Sequence, residues 1–311
     1  MTSTVTLAGG VGAARFLRGL LRVVPPSDVV AVVNVGDDVE LHGLWVSPDL
    51  DTVTYTLAEA IDPERGWGLA GETWHAMEAL ARYGGITWFN LGDRDLGTHL
   101  YRTHRRREGA SLSEVTAEIV RAWGLELRVL PVSDDRVETR VVLADGGDEV
   151  NFQEYFVKHR HAVAVSAVRF AGIEAASPAP GVLDAISTAD AIVIAPSNPI
   201  VSIGPVLAVP GVREAVAARR DRTVAVSPIV GGAALKGPAD RMLVELGHES
   251  SVVGVARLYA DVASVLVVDE ADAHLADAVE AEGMRCVVTD TIMSSPERAA
   301  ALASVVLEAV A

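Results

Sequence analysis

The chain has 311 residues, half of them hydrophobic, enough to bury a substantial core and fold as a globular protein. Its formal charge of −16 argues against DNA, RNA or an anionic membrane as partner, because each needs a basic face. The lone Cys286 excludes an internal disulfide framework and any multi-cysteine metal site, and the apolar stretch 191–209 is broken by Pro196, Ser197, Asn198, Pro199 and Ser202, so nothing reads as a membrane span.

The first residues enter a strand pattern with no signal-peptide features, and a cytoplasmic location is expected. Thr4–Ala8 is a β-branched run that ends at Gly9-Gly10-Val11-Gly12. A helix should follow, with Phe16, Leu17, Leu20, Leu21 and Val24 on one face and Pro25-Pro26 as its stop. Val29–Val35 reads as a buried strand closed by Gly36-Asp37-Asp38, completing a βαβ unit. Helical patterns then run over Asp51–Ala60, Glu72–Tyr83, Leu96–Arg107 and Leu112–Trp123. Arg136–Leu143, Glu149–Phe156 and Ala162–Phe170 alternate like strands around Asp145-Gly146-Gly147-Asp148. Apolar strands return at Ala191–Ala195, Thr223–Val226, Val265–Val268 and Cys286–Thr289, with helical patterns at Asp240–Gly247 and Ala271–Ala281. The fold class expected is α/β: a doubly wound, Rossmann-like parallel sheet with a helical cap and a small β insertion. The expected division is a core of 1–130 and 185–311 carrying the cap, and a β-rich insertion over 131–184.

The glycine turn Gly9, Gly10, Gly12 is a candidate phosphate cradle, since backbone N–H groups at a helix start attract anions. The dinucleotide fingerprint is broken because Arg15 stands where its last glycine belongs, and Lys236-Gly237 has the wrong order for a Walker loop. Lys236 is one of only two lysines, the other being Lys158, and it lies in a glycine-rich turn. Asp37, Asp38, Asp49 and Asp51 gather where a second strand ends, which suits Mg²⁺ bridging substrate phosphates; Asp37, Asp38 and Asp49 are the candidate ligands. Two plainer roles stand beside this: Asp38 bonded to a ribose, and Asp51 as the N-cap of the next helix. Arg94, between Asp93 and Asp95, suits bidentate phosphate recognition or a structural ion pair. Ser197, Asn198 and Ser227 sit in turns after two later strands and are candidates to line a nucleotide. Trp45, Trp67, Trp74 and Trp88 offer flat faces for a tricyclic ligand, or ordinary packing.

Eight segments in order resemble the 2-phospho-L-lactate transferases of coenzyme F-420 synthesis. They are 9–14 (GGVGAA), 33–38 (VNVGDD), 47–52 (SPDLDT), 91–96 (LGDRDL), 130–135 (LPVSDD), 152–157 (FQEYFV), 195–205 (APSNPIVSIGP) and 226–232 (VSPIVGG). Residues 61–68 (IDPERGWG) and 72–74 (ETW) are similar to the actinobacterial branch, whose donor carries enolpyruvyl rather than lactyl phosphate. The resemblance implies transfer from a guanosine diphosphate-linked acid to the deazaflavin Fo, with Mg²⁺ as cofactor, GMP as product and a homodimeric enzyme. It implies Asp49 and Asp51 as catalytic carboxylates, Asp51 and Arg94 at Fo, and Gly9, Gly10, Gly12, Ser197, Asn198 and Ser227 at the nucleotide. On this reading Asp51→Ala abolishes turnover and leaves the protein folded. Two rivals remain: a non-enzymatic nucleotide-binding regulator of the related gluconeogenesis-factor family, and an NAD-dependent oxidoreductase, which the missing third glycine disfavours.

Overall fold

The computed structural model describes residues 3–310. Seven strands form one parallel sheet: β1 (Thr4–Ala8), β2 (Val29–Val33), β3 (Arg128–Pro131), β4 (Ala191–Ile194), β5 (Thr223–Val226), β6 (Val265–Asp269) and β7 (Arg285–Thr289). Their order across the sheet is β7-β6-β5-β4-β1-β2-β3, so chain direction across the sheet reverses between β1 and β4. A doubly wound sheet opens its ligand crevice at this switch point, outside the carboxyl ends of the strands. Register is set by strands buried on both faces: Thr4 pairs with Val29 on one side of β1 and with Ala191 on the other.

The expected α/β architecture is therefore present, with local corrections. The first helix, α1 (Gly10–Leu20), ends before Val24, which follows in a turn. The second, α2 (Pro48–Leu57), starts three residues ahead of Asp51, with Ser47 in the N-cap position and Pro48 at the first turn. Asp51 is thus inside the helix, and its N-cap reading is wrong. Next come α3 (His75–Arg82), α4 (Asp95–Arg107) and α5 (Leu112–Ala122); Ser111 and Glu114 close a reciprocal capping box at the start of α5.

Two short strands absent from the sequence reading, Val39–Leu41 and Leu44–Val46, form a hairpin between β2 and α2. The hairpin buries Val39, Leu41 and Val46 against Met77 and Leu91 beneath the helical cap. Strand β3 was missed as well, because Pro131 and only four residues leave a weak pattern. In the middle segment a three-stranded antiparallel sheet forms from Glu149–Asn151, Glu138–Leu143 and Val165–Ala171. The run Glu149–Phe156 is not one strand: after Asn151 the chain turns into a short π-helix over Glu154–Lys158, which buries Tyr155 and presents Phe156 at the surface. No helix among the described residues is long and apolar enough to cross a membrane.

Candidate active site

The glycine turn and the acidic cluster form one site. Strand β1 ends at Ala8, and Gly9 leads into α1 at Gly10, whose backbone N–H donates to the Asp49 carboxylate. A Cβ on Gly9 would lie 3.1 Å from Asp49 Oδ2 and 2.7 Å from Ser202 Cβ, so only glycine lets the two loops approach. Gly12 is tighter still, because a Cβ there would fall 2.1 Å from the Pro196 carbonyl oxygen. Gly12→Ala is expected to push the turn after β4 away from α1 and to cost about 1–3 kcal/mol. Chemical denaturation reads the stability; a wild-type value would show that the turn tolerates a side chain.

Asn34, fully buried just past β2, joins the carboxylates. Its Nδ2 donates to Asp49 Oδ2 at 2.9 Å and to Asp37 Oδ1 at 3.2 Å, while its Oδ1 accepts the Gly36 N–H at 2.7 Å. Asp38 Oδ2 accepts from Trp45 Nε1 and Ser47 Oγ, both at 2.8 Å, whereas its buried Oδ1 has no partner. None of Asp37, Asp38 and Asp49 forms an ion pair among the described residues. Burial raises all three acids. Asp38 is pushed up to about 7, with the Trp45, Ser47 and Arg102 interactions opposing the shift. Asp49 rises to about 6 against its bonds from Asn34 and Gly10. Asp37 goes well above the usual carboxylate range, by burial first and then by the charge of Asp49.

Asp51 lies in a different environment. The fully buried Arg102 on α4 grips both its oxygens, with Nη1 to Oδ2 at 3.1 Å and Nη2 to Oδ1. His99, one turn earlier on α4, stands between two acids: Nδ1 is 3.7 Å from Asp51 Oδ2 and Nε2 is 3.4 Å from Asp95 Oδ2. Tyr55 OH donates to Asp95 Oδ1 at 2.6 Å. Asp51, Asp95 and His99 have ligand atoms within 4.8 Å of one another, the spacing of a metal site. Arg102 already supplies the positive charge there. Asp37 and Asp49, joined by the Asn34 amide, and Asp38, with its open Oδ1, offer only oxygen donors, the type a hard divalent cation takes, but their ligand atoms do not converge in the structure as those of the triad do.

The remaining candidates have defined places. Arg94 does not pair with Asp93 or Asp95; its Nη1 donates to the Ala70 carbonyl at 2.5 Å, and Glu72 accepts the backbone N–H groups of Arg94 and Asp95 at 2.8 and 2.9 Å. Arg94 thus fastens the loop before α3. Ser197 Oγ donates to the Gly9 carbonyl at 2.7 Å, tying the turn after β4 to the glycine turn. Asn198 Oδ1 accepts the Ile200 N–H at 2.9 Å, and Ser227 Oγ accepts the Ile229 N–H at 3.1 Å, so both side chains shape their own turns. Trp45 packs against Arg106 and Arg136, and Trp88 against Phe89. Trp67 and Trp74 sit 6.0 Å apart with the Arg65 guanidinium 5.4 Å from each ring, and Trp67 stays 43% exposed. Sequence reasoning missed Asn34, His99 and Arg102. A polar residue ending an apolar strand was the available signal for Asn34; the other two gave none.

A family model described as "2-phospho-L-lactate transferase CofD" matches residues 4–308. This chain belongs to the CofD family. Its relatives include phosphoenolpyruvate transferases from Kitasatospora aureofaciens, 49% identical over 97% of this chain and 96% of that one, and from Streptomyces griseus subsp. griseus, 48% identical over 98% and 97%. The phosphoenolpyruvate transferase of Mycolicibacterium smegmatis is 42% identical over 95% of each chain. The protein is accordingly a transferase, as the sequence resemblance implied. Among solved structures, protein BH3568 from Bacillus halodurans superimposes with a TM-score of 0.66 over 98% of this chain and 99% of its own. At 18% identity this second likeness shows a shared fold.

Proposed function

We propose that the protein acts in coenzyme F-420 biosynthesis, moving a phosphoenolpyruvyl group from a guanosine diphosphate-linked donor to a ribityl hydroxyl of Fo and releasing GMP. The observation that carries the reading is the union of the α1 glycine turn with Asp49 and Asp37, through the Gly10 N–H and the shared Asn34 amide. A diphosphate at the helix start would meet backbone donors on one side and three acids on the other. Those acids repel it unless a cation intervenes. Asp37, Asp38 and Asp49 would hold Mg²⁺, which when bound neutralises diphosphate charge.

The chain's own residues do the rest. The acceptor hydroxyl oxygen bonds to the phosphorus that carries the acid, and the bond from that phosphorus to the oxygen bridging to GMP breaks. GMP leaves with that bonding electron pair, and the hydroxyl proton passes to Asp51. Arg102 fixes the Asp51 carboxylate in one orientation, and placement of the hydroxyl in line is the main catalytic demand of such transfers. Trp67, partly exposed and held with Trp74 against Arg65, offers the deazaflavin one aromatic face, the two rings being tilted 56° to each other. A cytoplasmic homodimer belongs to the same reading.

The test is a product assay by mass spectrometry with Fo, Mg²⁺ and, separately, the enolpyruvyl and lactyl guanosine diphosphates. The expected result is a mass gain on Fo with GMP release, faster with the enolpyruvyl donor. A faster lactyl reaction reassigns the donor, and no product from either removes the proposal.

A further inference from the structure

The β insertion and the core leave a groove of about 580 Å³ between them, within the range of small-ligand sites. Its walls come from the insertion strand Val165–Ala171, from the turn after β4 with the helix Ile203–Ala208, and from the helix Val252–Tyr259. Val168, Phe170, Ile200, Leu207, Leu246 and Leu258 make the lining mostly apolar. A Cβ on Gly204 would fall 3.2 Å from the Phe170 ring, so the bare glycine lets the insertion strand close on the helix there. None of the glycines or carboxylates of the candidate active site lines this groove.

One lining residue lacks a partner. Tyr259 is 2% exposed, and its hydroxyl makes no hydrogen bond among the described residues. Buried polar groups left unpaired are rare and destabilising, so an occupant of the groove is the natural acceptor. Burial holds the Tyr259 phenol well above its usual range, and the charge of Arg213, a second lining residue, opposes the shift. The guanidinium therefore lies within electrostatic reach of the hydroxyl. Arg213 donates from Nε and Nη2 to Asp261 at 2.8 and 2.7 Å, and its Nη1 has no hydrogen bond among the described residues. His248 adds a third polar group. Although the chain carries 42 acidic side chains, no Asp or Glu lines the groove.

We propose that this groove is a second ligand site, which takes a small amphipathic carboxylate. Its apolar chain lies along Phe170, Ile200 and Leu258, and its carboxylate accepts from the Tyr259 hydroxyl and faces Arg213. The lining argues against a nucleotide or free phosphate, whose polar surface would lose water without finding enough partners. A surface free of carboxylates in so acidic a protein suits an anion. The site stands apart from the transferase reading, since it shares none of the residues on which that reading rests.

The test is calorimetric titration of the full chain with octanoate and with 1-octanol, which has the same chain length and no charge. Wild-type protein is expected to bind octanoate about tenfold more tightly than 1-octanol. In Tyr259→Phe the octanoate affinity should fall about tenfold, with the melting temperature unchanged or raised because the lost hydroxyl had no partner. Ala208→Trp, which fills the groove, should bind neither compound; if that variant does not fold, Tyr259→Phe decides alone. Equal binding of acid and alcohol by the wild type overturns the carboxylate assignment. Absence of octanoate binding, or octanoate affinity unchanged in Tyr259→Phe, overturns the site. A sedimentation change in Ala208→Trp, with no octanoate bound by the wild type, would make the groove the seat of a second copy and overturn it too.

Discussion

Asp51→Ala is expected to lower stability by about 3–5 kcal/mol, because it leaves Arg102 as an uncompensated charge in the interior. This changes the expectation drawn from the sequence, where Asp51 looked removable without harm to the fold. Arg102 is 1% exposed, and its guanidinium meets Asp51 through two nitrogens, with the Trp45 carbonyl at 3.5 Å and His99 Nδ1 at 3.4 Å as further polar contacts and Asp38 as the next carboxylate acting on it. Loss of turnover in Asp51→Ala would therefore mix chemistry with unfolding. Removing both charges separates them: Asp51→Ala/Arg102→Met should recover most of the lost stability, since an apolar pair replaces a buried ion pair at little cost, yet remain inactive. Urea denaturation of the two single variants and the double variant gives the coupling. If Asp51→Ala unfolds at the wild-type midpoint, Arg102 does not depend on Asp51; if the refolded double variant turns over, Asp51 is outside the chemistry.

Asp37→Asn should have the opposite sign on stability and an equally large effect on activity. Turnover is expected to fall by at least about 100-fold, while the metal-free protein becomes more stable at pH 8. The gain follows from burial and from the neighbouring charge of Asp49, which together hold the Asp37 carboxyl far above its ordinary range. The pH dependence has a definite direction. Asp37, Asp38 and Asp49 titrate higher in the folded protein than in the unfolded chain, with Asp49 near 6 and Asp38 near 7. Between the ordinary carboxylate range and those values the folded state holds more protons, so metal-free stability falls as pH rises through the window. A cation displaces those protons, and millimolar Mg²⁺ should raise the melting temperature more at about pH 8 than at about pH 5. A shift that is equal at both, or larger in acid, would take the metal away from these three carboxylates.

The parts of this molecule legible in its sequence are those whose signal is contiguous. Gly9 to Gly12 after a β-branched run, and Gly36-Asp37-Asp38 after another, announce strand ends because turn residues and apolar residues are neighbours in the chain. The pairing of Asp51 with Arg102 carries no such mark: the two lie 51 positions apart, on helices whose approach depends on the whole cap. The arginine-rich α4 reads as a solvated helix, and only packing reveals that Arg102 and His99 point inward. The segment from Phe152 to Val157 misled for a local reason, because three aromatics and a valine within six residues imitate a strand whereas Tyr155 goes into the core and Arg241 holds its hydroxyl at 2.7 Å. The acidic cluster was visible as a set, yet the sequence did not say which carboxylate was already paired.

Helix α1, which carries the glycine turn at its start, is seated on the helix Pro296–Glu308, and the fit is so close that a Cβ on Gly19 would fall 2.3 Å from the Ala299 carbonyl carbon. Strand β1 likewise waits for β4, far along the chain, before it has both of its neighbours. During synthesis the N-terminal βα segment therefore emerges long before the surfaces that hold it, and long-range closures of this kind are slow. The site is assembled late: a nascent chain still lacking the helix Pro296–Glu308 would hold the glycine turn poorly, and substitutions near Ala299 would slow the acquisition of activity even where the finished enzyme is unaffected.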